Sequence, residues 1–131
     1  MPEQRVREAQ ALTALRLTLA LLIFIHGAYR AWSGGYGPFG SWLDGQGIPF
    51  GPAVAVAITA LEVLGAPLLA WGRWMVAPLC LLFAAVYAAG IALVHAPFGW
   101  FVVGAGRNGA EYSVLLIVGL LATGWVHLRR R

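Results

Sequence analysis

Four stretches of this chain, about Leu12 to Trp32, Pro52 to Trp71, Met75 to His95 and Gly109 to Leu128, are apolar with few interruptions. A bilayer span needs about 20 mostly apolar residues to cross roughly 30 Å. The pattern therefore predicts four membrane-spanning helices and leaves no room for a soluble domain. The expected fold is an all-α membrane protein, a four-transmembrane-helix antiparallel bundle forming one membrane domain over residues 1–131.

The segments between the spans are short and distinctive. Met1 to Ala11 carries charges of both signs and is expected to form a short surface helix or arm. Ser33, Gly34 and Gly35 break the first span. The connection up to Gly51 holds Phe39, Trp42, Leu43, Ile48 and Phe50, too apolar for a freely solvated loop, and is expected to lie as a cap on the bundle with a short helix at Gly40 to Gln46. Pro52 suits the first turn of a helix, whereas Pro67 removes a hydrogen bond inside one and predicts a kink or a polar partner. The short turn Gly72-Arg73-Trp74 makes spans two and three antiparallel neighbours. Ala84, Ala85, Ala88, Ala89 and Gly90 let the third span approach another helix closely.

Composition strengthens this picture: of 131 residues 60% are hydrophobic and 11% charged, against about a quarter charged in soluble domains. All 9 basic residues are arginine. Seven of them, Arg5, Arg7, Arg16, Arg73 and Arg129 to Arg131, fall on one side of a four-span layout, and only Arg30 and Arg107 fall on the other. The positive-inside bias then places both termini in the cytoplasm. Tryptophans at 71, 74 and 125 and at 32, 42 and 100 mark the two boundaries. No clean small-x-small cleavage site follows the first span, so it is expected to be retained. The single Cys80 excludes an intramolecular disulfide and a CxxC pair. Gly104-x-Gly106 lacks the strand-turn-helix context of a dinucleotide site, and the terminal arginines serve as a topology anchor, so nucleic acid is not an expected partner.

Arg16, His26, Arg30, Glu62 and Glu111 stand inside otherwise lipid-soluble helices, where such groups cost roughly 2.5 to 3.5 kcal/mol each on insertion scales and normally mark a site. His26 is expected roughly 10 Å below the outer end of span one, with Arg30 one turn above it on the same face. Glu62 falls near the midplane and must be protonated or paired, so it is expected to face the interior within hydrogen-bonding or water-bridged reach of span one, where the basic side chains that can meet it are His26 and, if its stem bends inward, Arg30. Glu111 opens span four beside Arg107, Asn108 and Tyr112, level with His95, and an Arg30–Glu111 ion pair is expected there. Each charge also has a plainer account: Arg30 can snorkel to the headgroups, Arg16 can contact them, and Glu111 can complement a helix dipole. A histidine and a carboxylate in one dry cavity suit a polar ring, a proton, or a quinone whose carbonyl oxygens accept hydrogen bonds. No motif supports a haem on His26 and His95, or a metal among His26, Glu62, His95 and Glu111, so no metal is expected.

Leu15-Arg16, His26-Gly27-x-x-Arg30, Leu61-Glu62-Val63-x-Gly65, His95 with Phe98-Gly99, and Asn108-Gly109-Ala110-Glu111-Tyr112-Ser113 together resemble the DoxX family of small bacterial four-span membrane proteins. Arg30 stands where many relatives have lysine. The resemblance implies a multi-pass protein of the bacterial inner membrane with a redox association, since the family takes its name from membrane subunits of thiosulfate:quinone oxidoreductase. It carries His26, Arg30, Glu62 and Glu111 over as shared polar positions. Quinone is then the one cofactor to consider, and the expected partners are the lipid bilayer and a redox protein or further copies of the chain. Three readings stay open: a ligand-binding protein serving a redox process, which predicts a cavity lined by His26 and Glu62; a non-catalytic adaptor or assembly factor, which predicts a packed interior with every charge paired; and a small transporter or proton pathway, which predicts a polar path running inward to Arg16 or His127. No catalytic residue is assigned.

Overall fold

The computed structural model describes residues 1–128, so the expectations attached to Arg129, Arg130 and Arg131 lie outside the described residues. Those residues form five α-helices and no strand: α1 (Pro2–Ser33), α2 (Tyr36–Gly45), α3 (Gly51–Trp71), α4 (Val76–Gly90) and α5 (Glu111–Val126). A single π-type turn (Ile91–His95) and a 3-10 turn (Ala96–Phe98) prolong α4. Three helical stretches are long and apolar enough to cross a membrane: Pro2–Ser33, Gly51–Trp71 and Val76–Phe98. The apolar α5, at 16 residues, is shorter.

The amino-terminal arm is not separate. It runs straight into α1, giving one helix of 32 residues, about 48 Å at 1.5 Å per residue. Ala, Leu, Arg, Glu and Gln dominate Pro2 to Leu22, with no glycine or internal proline to interrupt a helix there. Pro2 occupies the first turn, where its missing N–H has no consequence. The first 11 residues are all exposed, so this end projects beyond the packed region.

The cap helix begins earlier than the sequence suggested, at Tyr36. It is held down on the start of α3, where Asp44 Oδ1 accepts the Gly51 N–H at 2.9 Å. That carboxylate sits where the first N–H groups of α3 lack helical partners and the helix dipole is positive. At the other end of α3, Arg16 Nη1 donates to the Leu69 carbonyl at 2.9 Å and also to that of Ala70. Gly72 then turns the chain with φ 75°, and the space a β-carbon would need there is filled by the Arg16 guanidinium. Arg16 is thus a cap on the last carbonyls of α3, which suits a cation at a helix C-terminus.

Span four was expected from Gly109, but α5 starts at Glu111. The preceding connection folds back on itself: Gly109 N–H donates to Phe101 O, Ala110 to Gly99 O and Glu111 to Trp100 O, each at 3.0 Å. Those bonds commit Gly109 and Ala110 to a loop. At the other end α5 stops at Val126, leaving His127 and Leu128 outside it.

One core joins the four longer helices. Leu19, Ala20 and Ile23 of α1 meet Ala66 and Leu69 of α3, Leu79, Cys80, Phe83 and Ala84 of α4, and Leu116 and Leu120 of α5. α3 packs between α1 and α4, and α5 packs between α4 and α1. The pairings Arg16–Leu69 and Arg30–Thr59 show that α1 and α3 are antiparallel. Much apolar surface still points outward, including Leu21, Leu64, Leu81, Leu115 and Trp125. In water so continuous a patch would be an aggregation liability, whereas lipid accommodates it.

Candidate functional site

A polar network lies between α1, α3 and α4, directly beneath the α2 cap. Glu62 is 1% exposed. Its Oε1 accepts a hydrogen bond from Arg30 Nη1 at 2.6 Å, forming an ion pair. Its Oε2 accepts one from the Tyr87 hydroxyl at 3.2 Å. Arg30 Nη1 also donates to Thr59 Oγ1 at 3.3 Å, and the Thr59 hydroxyl in turn donates to the Ala55 carbonyl at 2.8 Å. Three helices therefore converge on one carboxylate, with charge and hydrogen bonds supplied from both sides.

Local sequence explains the placement. Thr59 and Glu62 are one turn apart on α3 and share its inward face. Gly27 lies directly opposite, and a β-carbon there would come within 2.6 Å of Glu62 Cβ. The absence of a side chain at Gly27 is what lets the two backbones close and brings the Arg30 stem over Glu62. Above the pair, the Arg30 guanidinium carbon rests 4.8 Å from the centre of the Phe39 ring of α2, a cation–π contact. Phe39 stacks on Trp42, and Tyr87 on Phe83. Arg30 Nε and Nη2 have no protein acceptor among the described residues, and neither is sealed from the surface. The guanidinium consequently retains donors for another group.

Two open spaces adjoin this network. A groove of about 500 Å³ is lined by Ala31, Tyr36, Val56, Thr59, Ala60, Val63 and Leu64, so Thr59 belongs to both groove and network. A cleft of about 420 Å³ lies between α2 and the end of α4, among Phe39, Trp42, Leu93 and Phe98.

Several expected placements change. Arg30 does not pair with Glu111; it pairs with Glu62, because its stem bends inward at the gap left by Gly27. Glu111 instead accepts the Val102 N–H at 2.9 Å and fastens the preceding loop to the start of α5. His26 is exposed and makes no hydrogen bond among the described residues, and neither it nor Glu62 lines the groove or the cleft described above. It precedes Gly27 by one residue, about 100° around the helix, and that rotation carries it off the α3-facing side. His95 Nδ1–H donates to the Asn108 carbonyl at 2.8 Å, which ties the end of α4 to the same loop. Arg107 and Tyr112 are exposed. Glu62 faces the interior within hydrogen-bonding reach of α1, as its cost in hydrocarbon requires.

Thr59, Tyr87 and Phe39 were missed by sequence reasoning. Thr59 was legible as a polar neighbour one turn from a buried carboxylate. Tyr87 was hidden by its setting among alanines, where the small residues drew attention to packing and away from the one hydroxyl. Among the described residues no group of three or more His, Cys, Asp or Glu side chains is placed to hold a metal ion. Comparison with family models, curated proteins and solved structures finds no match to this chain.

Proposed function

We propose that this chain is a four-span protein of the bacterial inner membrane, of the DoxX type, with both termini cytoplasmic, and that it binds a quinone-like ligand beside Arg30 in service of a redox process. The observation that carries this reading is Arg30: a guanidinium held by Glu62 and Thr59 that keeps N–H donors free of protein acceptors, next to an apolar groove that Thr59 helps to line. A quinone needs a hydrogen-bond donor for a carbonyl oxygen and apolar walls for its ring. Here the donor is Arg30 and the walls are Ala31, Val56, Ala60 and Val63. Glu62 fixes the guanidinium and balances its charge. Electron transfer would require a partner, since the chain offers one cysteine and no cluster of metal-ligating side chains among the described residues.

The test is titration of the purified protein with a short-chain benzoquinone, read by quenching of tryptophan fluorescence, beside an Ala60→Trp variant that fills the groove without touching the ion pair. Saturable binding lost in Ala60→Trp supports the reading. Equal binding by both proteins, or none by either, sinks it.

A second reading has its own support. Glu62 is almost wholly buried with both oxygens occupied, the state expected if the ion pair only latches helices of an adaptor or assembly factor. Under it Ala60→Trp has no functional effect.

A further inference from the structure

At the opposite end of the molecule a polar pocket opens beside the turn between α3 and α4. It is an open depression of about 420 Å³ lined by Arg73, Trp74 and His127 together with Ala77, Pro78 and Leu128. The last three residues also line the start of a second, apolar groove of about 510 Å³ that runs between α4 and α5 past Leu81, Leu121 and Trp125. A cationic mouth thus continues into an apolar channel on the lipid-facing side. Arg73 makes no ion pair among the described residues. His127 Nδ1–H is taken by the Thr123 carbonyl at 2.8 Å, which leaves Nε2 as the ring atom not held by the protein. The sequence adds three further arginines directly after Leu128.

The geometry points to a bound anionic diacyl glycerophospholipid, its phosphate on the Arg73 guanidinium, with His127 Nε2 adding a second donor when the ring carries both protons, and one acyl chain in the α4–α5 groove. This rests on the reading that the chain lies in a bilayer with this end at the cytoplasmic leaflet. Charge complementarity selects the headgroup, because anionic lipids gather at that surface and basic side chains attract them. Continuity of the two spaces selects a lipid over a free anion: inorganic phosphate would fill the mouth and leave the groove empty. Trp74 and Trp125 border the two parts, as interfacial aromatics do.

The experiment uses the full chain in mild detergent, with brominated phosphatidylglycerol and brominated phosphatidylcholine of identical chains as quenchers of tryptophan fluorescence, and native mass spectrometry to count retained lipids. Phosphatidylglycerol should quench at lower concentration and remain bound where phosphatidylcholine does not. Arg73→Gln should weaken phosphatidylglycerol binding about 5-fold, the equivalent of about 1 kcal/mol for one basic side chain at a headgroup. Arg5→Gln, which removes the same charge at the same end but outside the pocket, should change it little. Leu121→Trp, which fills the groove, should weaken both lipids. Excess inorganic phosphate should not displace the lipid. Equal binding of the two lipids, equal effects of Arg73→Gln and Arg5→Gln, or full displacement by phosphate each overturn the proposal. A protein that does not fractionate with membranes would overturn the bilayer reading itself, a separate result.

Discussion

Arg30 of α1 and Glu62 of α3 meet at 2.6 Å in a region where the carboxylate is almost completely shielded from solvent. Removing two charges from water is expensive, and their attraction offsets that only when the remaining polar atoms are also satisfied. Here Tyr87 takes the second carboxylate oxygen and Thr59 shares the Arg30 donor. The pair works as a four-residue unit and should respond to mutation as one.

Truncation and neutral replacement at Glu62 should therefore differ. Glu62→Ala strands a guanidinium in a poorly solvated position and should cost about 3 to 5 kcal/mol. Glu62→Gln keeps an acceptor for Arg30 and most of the shape, so it should fold, with a smaller loss of about 1 to 3 kcal/mol. Thermal unfolding in one detergent, followed by circular dichroism, should rank wild type above Glu62→Gln and Glu62→Ala last. Equal midpoints for all three would show that the pair contributes nothing.

Tyr87→Phe removes a single hydroxyl and leaves Glu62 Oε2 without a partner. A loss of about 1 to 3 kcal/mol is expected from an unsatisfied buried acceptor. In a Glu62→Gln background the same substitution should cost less, because the charged acceptor is gone. A double-mutant cycle on unfolding free energies measures that coupling, and an additive result would mean that the two groups act independently.

Gly27 is the steric key to the pair. Since a β-carbon would stand 2.6 Å from Glu62 Cβ, Gly27→Ala must push α1 and α3 apart. Overpacking of this kind costs about 1 to 3 kcal/mol. It should also loosen the ion pair, so Gly27→Ala and Glu62→Gln together should destabilise less than the sum of the two. Gly27→Ala with an unchanged unfolding midpoint would remove the close-approach argument.

What the sequence disclosed follows from the range of each interaction. Helix positions were legible because apolar runs, glycines and prolines act within a few residues. Glu62 was legible as inward-facing because its alternative in lipid is so costly. Its partner was legible only as a choice between His26 and an inward-bending Arg30, since Arg30 to Glu62 or to Glu111 depends on whether a long stem bends at Gly27, a contact between distant segments. His26 shows the limit in the other direction: spacing placed it on a common face with Arg30, but a helix face is wide, and the flexible arginine reached inward where the histidine did not. The start of α5 was misjudged because hydrogen bonds from Gly109 and Ala110 to residues around Trp100 competed with helix formation.

Arg16 and Gly72 supply the last test. The Arg16 guanidinium caps the final carbonyls of α3 and occupies the space that a side chain at Gly72 would need. Arg16→Gln should lose the charge–dipole and capping interaction, about 0.3 to 2 kcal/mol for a cation at a partly buried helix C-terminus. Gly72→Ala has two penalties: a left-handed backbone at φ 75°, which costs an L-residue roughly 1 to 2 kcal/mol, and a collision that expels the guanidinium. The first penalty persists whatever residue stands at position 16, whereas the second disappears once the arginine is gone. Gly72→Ala should therefore be less damaging in an Arg16→Ala background than in the wild type, while remaining destabilising in both. Thermal unfolding of the four proteins in the cycle decides it, and strict additivity would show that the guanidinium is not held against the turn.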